Sequence, residues 1–146
     1  IILGAPKHCN LAPTGTLTGH IDIAPTVLDL LQLPSSNVHQ GQSLCSKIDP
    51  DRTLFATAQA LTSEDAILWR NYKYVQNYRG QGERLFNLSV DPKERIDLSE
   101  TEIDIKENLS KRLQLFRNQQ ISFYNLPPTE QEKFFPPTPP TCCNKP

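Results

Sequence analysis

His20 and Asp22 are the residues of this 146-residue chain whose types and spacing come nearest to a catalytic pair. An imidazole oriented by a carboxylate is a general base that can take a proton from water or an alcohol. On an extended strand, residues two apart share a face, which would bring the two side chains together. A structural assignment competes with this one. Asp22 stands just before Pro25 and an apolar-periodic run, where a carboxylate accepts free N–H groups of a helix start and suits its positive end. The structural assignment is the one adopted: Asp22 as a helix cap, His20 at the domain edge.

Lys7, His8 and Cys9 follow the apolar run Ile1–Ala5, so they stand after a strand end, where open α/β sheets bind ligands. Lys7, His8 and His20 are therefore the substrate-proximal candidates. His39 lies in a Ser/Asn-rich loop and reads as exposed. Arg70, Lys73 and Arg79 could line a pocket entrance and attract anionic groups, although Lys73 between Tyr72 and Tyr74 equally suits the solvent face of a strand. There is no nucleophile elbow and no Asp/His cluster at ligand spacing. No catalytic residue and no metal ligand is assigned to this chain.

The cysteines are Cys9, Cys45, Cys142 and Cys143, in no CxxC-type zinc pattern. Cys9 and Cys45 could pair in an oxidising compartment and Cys142–Cys143 could link elsewhere, or all four could be free thiols. Asn87-Leu88-Ser89 and Asn108-Leu109-Ser110 fit the N-glycosylation triplet, which matters only in a secreting eukaryote.

The elements that must position these residues fall into two textures. Ile1–Ala5 reads as a strand covered on both faces. Residues 7–19 form a polar loop. Pro25 suits the first turn of a helix, on which Ala24, Val27, Leu28 and Leu31 make one apolar stripe facing a core; Pro34 and the residues after it close the helix. A strand, helix and loop in this order suit an α/β domain. From residue 53 onward, 53–58, 66–70, 72–78 and 84–88 are short β-prone segments separated by polar turns, predicting a small antiparallel sheet of hairpins. Ser99 and Glu102 have the capping-box spacing. The helix that follows is expected to reach about Gln120, with Ile105, Leu109, Leu113 and Phe116 on one face. Beyond Asn125 a proline-rich tail should be extended or disordered. There are no internal repeats.

Net charge is −1 with signs interspersed, which excludes the basic stripe nucleic acid needs. No apolar run approaches the ~20 residues of a membrane span. The chain begins at Ile1 and contains no methionine, so a processed chain or a fragment of a larger domain is expected.

Two segments together resemble the sulfatase family of the alkaline phosphatase superfamily. One is His20-Ile21-Asp22-Ile23-Ala24-Pro25-Thr26-Val27-Leu28-Asp29-Leu30-Leu31 with the later Gly41-Gln42-Ser43-Leu44. The other runs from Leu68-Trp69-Arg70-Asn71-Tyr72-Lys73-Tyr74-Val75 through Glu83-Arg84-Leu85-Phe86-Asn87-Leu88 to Asp91-Pro92-Lys93-Glu94 and Asp97-Leu98. The resemblance covers roughly residues 1–115. Phe86-Asn87 stands where Tyr-Asp is usual, and Asp97 where Asn is common.

The resemblance implies an α/β fold in three parts. Residues 1–50 would be the terminal strand-helix part of the α/β sandwich, 51–122 a small antiparallel subdomain with a C-terminal helix, and 123–146 the tail. It implies hydrolysis of a sulfuric ester in the complete enzyme. A formylglycine from Cys-x-Pro-x-Arg and a divalent, calcium-type metal would then lie in a missing N-terminal catalytic portion or companion chain, because Cys9-Asn10-Leu11-Ala12-Pro13 is not that motif. This chain alone is expected to be inactive, its substrate in the complete enzyme a small-molecule or glycan sulfate ester, and its location extracytoplasmic. A phosphoglycerol transferase of the lipoteichoic-acid-synthase type is an alternative, as is a non-enzymatic module binding through hairpins and tail. The fragment reading carries its own expectation: apolar surface left exposed around Ile1–Leu3 and on the Val27–Leu31 helix.

Overall fold

The structure, a computed structural model, describes residues 6–13, 15–34, 39–58, 63–80, 82–131 and 136. The expected strand Ile1–Ala5, most of the tail and the Cys142–Cys143 pair lie outside them. A 3-10 turn, His20–Asp22, leads directly into α1, Ile23–Leu30. Four strands follow: β1 Thr53–Ala58, β2 Glu64–Trp69, β3 Tyr72–Asn77 and β4 Glu83–Asn87. The long helix α2, Ile103–Tyr124, completes the chain.

The strands form one antiparallel meander in the order β1-β2-β3-β4. Its register aligns Phe55, Ile67, Tyr74 and Leu85 in a row across all four strands. Strand residues alternate faces, so this row is apolar on one face of the sheet. Against it α2 sets Leu109 and Leu113, one turn apart, forming a core with Ile67, Tyr74 and Leu85. Ile105 and Phe116 extend the helix stripe, and Phe116 stacks on Phe55 with ring centroids 4.0 Å apart. Tyr74 is fully buried, yet its hydroxyl donates to Gln76 Oε1 at 2.8 Å and accepts from Ser110 Oγ at 3.2 Å. Burial pushes its phenol up to about 12.

The opposite face buries Ala66, Val75 and Phe86. Leu54, on the same face, lies under Gly19, where an added Cβ would meet Leu54 Cδ1 at 3.2 Å. The sheet is therefore sandwiched, with α2 on one side and the segment leading into α1 meeting it on the other.

A short downstream segment closes the free edge of β4. Leu98 donates its N–H to Leu85 O at 2.8 Å, and Leu85 donates to Asp97 Oδ1 at 3.0 Å. Pairing these groups removes donors that an open edge would leave exposed. The turn that delivers this segment is held by Asp91, whose Oδ2 accepts the N–H groups of Arg95 and Ile96 at 2.6 and 2.8 Å. Glu94 in the same turn binds Lys73 Nζ on β3 at 2.7 Å.

A local expectation changes. Ser99 does not cap α2: Glu102 occupies the N-cap position without a side-chain bond, and the Ser99 N–H goes to Asp97 Oδ1 at 2.9 Å. The edge-closing carboxylate outcompetes the helix terminus for that residue. The stripe on α1 meets no core among the described residues, and this is the exposure of the Val27–Leu31 helix that the fragment reading expects. Pro25 and Thr26 are the buried residues, whereas Ala24, Val27 and Leu31 are exposed. Leu85 is the most enclosed side chain of β4, so Leu85→Ala should cost about 2–5 kcal/mol of stability in urea denaturation, by lost burial and an unfilled cavity.

Candidate functional site

Around Asp22 the first half of the chain is stitched together by hydrogen bonds rather than by apolar contact. Asp22 is 1% exposed and Arg52 5%. The guanidinium grips the carboxylate in fork geometry, Nη1 to Oδ2 at 3.0 Å and Nη2 to Oδ1 at 2.7 Å. Each oxygen takes a second donor: Gly19 N–H to Oδ2 at 2.8 Å, Gln42 N–H to Oδ1 at 2.9 Å. Burial pushes the Asp22 carboxyl up. Arg52 and the Gln42 and Gly19 N–H groups more than offset this, and its pKa falls below the usual 3.8.

The carboxylate therefore does not cap α1 as the sequence suggests. Asp22 sits at the N-cap position in a helical conformation, φ −83° and ψ −12°, with no side-chain bond to the helix. It reaches back to the start of the 3-10 turn at Gly19 and across to Gln42 and Arg52.

The rest of the Gly41–Leu44 segment fastens to the same helix. Thr26 Oγ1 donates to Asp22 O at 2.6 Å and accepts the Leu44 N–H at 3.0 Å. Ser43 Oγ donates to the Asp29 carboxylate. Ala12 N–H reaches Leu44 O at 2.8 Å, adding the first loop. A Cβ on Gly41 would stand 1.9 Å from Ile21 O, so only glycine admits this approach. Cys9 and Cys45 form a disulfide that locks the same two loops.

His20 is exposed and Asp22 buried, and no hydrogen bond joins them. The 3-10 turn replaces the strand that would have aligned them, so the general-base geometry is not formed. His8 and Lys7 are both exposed, and His8 Nε2 lies 3.3 Å from Asp29 O, near the end of α1. None of these three candidates lines the cavity of about 760 Å³ between loop 10–17 and loop 45–50, whose rim includes Arg70 and Asn71. Arg70 is bonded to Asp51 and lies 4.4 Å from the Trp69 ring, and Lys73 is held by Glu94.

Arg52 is the residue that sequence reasoning missed. Its only sequence signal is a cation at the end of the Asp49-Pro50-Asp51 turn, just before β1.

Among the described residues, no group of three or more His, Cys, Asp or Glu side chains is arranged to hold a metal ion. The most deeply buried carboxylate, Asp22, already has four donors on its two oxygens. These residues alone do not fit a divalent metal.

The outward face of α1 is apolar. Ile23, Val27 and Leu31, each four residues apart, are 58%, 46% and 63% exposed, and Ile21 and Leu33 extend the patch. A helix normally turns such a stripe to a core.

No family model and no curated protein sequence matches this chain. Solved structures do. The chain has the fold of the C-terminal part of sulfatases. A Bacteroides thetaiotaomicron VPI-5482 protein assigned as a sulfatase superimposes with a TM-score of 0.51 at 22% identity, over 69% of this chain and 24% of its own. BT4656, solved with its substrate D-glucosamine-2-N,6-O-disulfate, gives a TM-score of 0.53 at 18% identity, over 84% of this chain and 28% of its own. Ps i-CgsB gives 0.53 at 19% identity, over 64% and 23%. This chain thus spans about a quarter of the length of the structures it matches.

Arg52→Met leaves a buried carboxylate unpaired and should cost about 3–5 kcal/mol at pH 7. Because the Asp22 pKa is lowered on folding, the stability it provides is present above its unfolded value of about 3.9 and is lost as pH falls through the folded value. The deficit of the variant should therefore shrink below about pH 4 in urea titrations across pH. Gly41→Ala meets main chain rather than a movable side chain. It should destabilise by at least about 3 kcal/mol, the upper end of ordinary overpacking, in the same assay.

Proposed function

We propose that this chain is the C-terminal part of a sulfatase-like hydrolase, in which it closes the catalytic domain and shapes one wall of its pocket. On this reading residues 1–50 finish the α/β sandwich and 51–122 form the small closing subdomain, whose helix α2 runs on to Tyr124, past the boundary of 122 that the sequence suggests. The observation that carries the reading is the apolar face of α1. Its inward side is fixed by Asp22, Thr26 and Asp29 through polar bonds, while Ile23, Val27 and Leu31 face out. Leaving such a stripe in water is unfavourable, and an exposed patch of this kind marks a surface that another element covers. The part of the fold that this chain does not span supplies that element.

The two halves of the sequence resemblance support the same reading in physical terms. The Asp-x-x-Pro-Thr helix and the later Gly-x-Ser-Leu are partners in one hydrogen-bonded seam. The hairpin and Asp-Pro-x-Glu turn are joined through Lys73 and Glu94. A sulfuric ester, and more narrowly a sulfated glycan, is the substrate class proposed for the whole protein. BT4656 is bound to such a sugar, and the fold is shared with it. The nucleophile and a divalent metal would come from the remainder of the protein. The Cys9–Cys45 disulfide favours an extracytoplasmic location, since such bonds persist in oxidising compartments.

The test is to express the chain together with whatever coding sequence precedes Ile1 and to assay aryl sulfate hydrolysis. Sulfate release by the longer protein, with none from residues 1–146 alone, is expected. Val27→Asp should lower the yield of active longer protein several-fold by placing a charge in the covered face. Release of phosphate or phosphoglycerol in place of sulfate, or a monodisperse 146-residue chain indifferent to Val27→Asp, would overturn the reading.

A further inference from the structure

The end of β4 carries a feature that neither the closing subdomain nor the seam around Asp22 requires. Asn87, Leu88 and Ser89 form one of the two N-glycosylation triplets in the chain. Asn87 is half-buried and Ser89 exposed, and the turn runs on into Val90, which is 78% exposed. The Asn87 amide oxygen accepts two bonds from Ser89, its N–H at 3.1 Å and its hydroxyl at 2.7 Å. This is an Asx turn closed by the third residue of the triplet. The main-chain oxygen of Asn87 accepts the N–H groups of Val90 and Asp91, so the turn is fixed on both sides. Among the described residues the amide nitrogen Nδ2 has no hydrogen-bond partner, so loading it with a substituent would break no bond to them.

The second triplet differs in the way that matters. Asn108 and Ser110 lie on α2, where residues two apart point to opposite sides of the helix. Ser110 is turned inward and donates to the Tyr74 hydroxyl oxygen at 3.2 Å. Its hydroxyl is therefore part of the core contact between α2 and β3 and is not beside Asn108.

The geometry points to Asn87, and not Asn108, as an N-linked glycan acceptor. In the transfer, Nδ2 forms a bond to the anomeric carbon of a sugar. The bond from that carbon to the diphosphate of a lipid-linked oligosaccharide breaks. The amide proton passes to a base of the transferase, and the lipid diphosphate leaves. Two bonds from Ser89 to the amide oxygen draw electron density from the carbonyl and make the N–H easier to deprotonate. The turn is built from contacts within five residues, so it can form before the sheet does. The inference rests on the extracytoplasmic part of the reading above and applies to the chain made in a secreting eukaryotic cell. The disulfide supports that part independently of any enzymatic activity.

The experiment is peptide mapping of the protein secreted from a eukaryotic cell, its upstream sequence included, after enzymatic deglycosylation in heavy-oxygen water. Asn87 is expected as mass-tagged Asp and Asn108 as unmodified Asn. Ser89→Ala should lose one glycan of gel mobility and Ser89→Thr should keep it. The mapping is read on the unaltered protein, so a variant that fails to fold does not decide the matter. A secreted, disulfide-bonded protein with unmodified Asn87, or one modified at Asn108 alone, would overturn the inference. Either result leaves the hydrolase reading to be judged on sulfate release.

Discussion

A single buried carboxylate holds the first third of this chain in shape. Asp22 gathers Gly19, Gln42 and Arg52, residues that stand far apart in sequence, onto two oxygen atoms. Buried ion pairs are often replaceable by apolar residues of similar volume at little cost. This one is not of that kind, because two of its four donors are main-chain N–H groups, which remain whatever side chains replace Asp22 and Arg52. An apolar residue at position 22 would orphan both of them out of water. The pair is better understood as the anchor of a backbone seam than as a salt bridge that happens to be buried.

That seam explains an inversion in α1. A surface helix usually buries its apolar side and shows its polar side. Here the inner side offers the Thr26 hydroxyl and the Asp22 and Asp29 carboxylates to a partner loop, and the outer side is Ile23, Val27 and Leu31. The loop at 41–44 can lie close only because Gly41 brings no side chain against Ile21. The β subdomain is built on the opposite logic. Its row of Phe55, Ile67, Tyr74 and Leu85 meets α2 chiefly through apolar contact, to which the Tyr74–Ser110 and Asp65–Arg117 bonds are added.

Much of this was legible in the residues. The hairpin segments at 53–58, 72–78 and 84–88 and the stripe Ile105, Leu109, Leu113 and Phe116 follow from local periodicity, and the structure has them within a residue or two. What stayed hidden depends on partners distant in sequence. Nothing local to Arg52 announces Asp22, and nothing in the α1 stripe says whether it faces this chain or something else. Composition alone left Cys9 and Cys45 equally open to pairing or freedom. Ser99 fits a cap by spacing, but Asp97 competes for its N–H, and spacing rules do not register competition. His20 and Asp22 matched a strand geometry that Pro25 and the helix behind it exclude.

The Cys9–Cys45 bond also makes this part of the molecule a closed ring. The 3-10 turn, the whole of α1 and the seam residues 41–44 lie inside the loop it encloses. A single peptide-bond cleavage anywhere between the two cysteines opens the ring into a linear branch without releasing a piece. Asp22 and Gln42 would stay tethered through the sulfur bridge even when the backbone between them is cut. Integrity here is a property of the cross-linked topology and not of an unbroken backbone, and it disappears when the bridge is reduced.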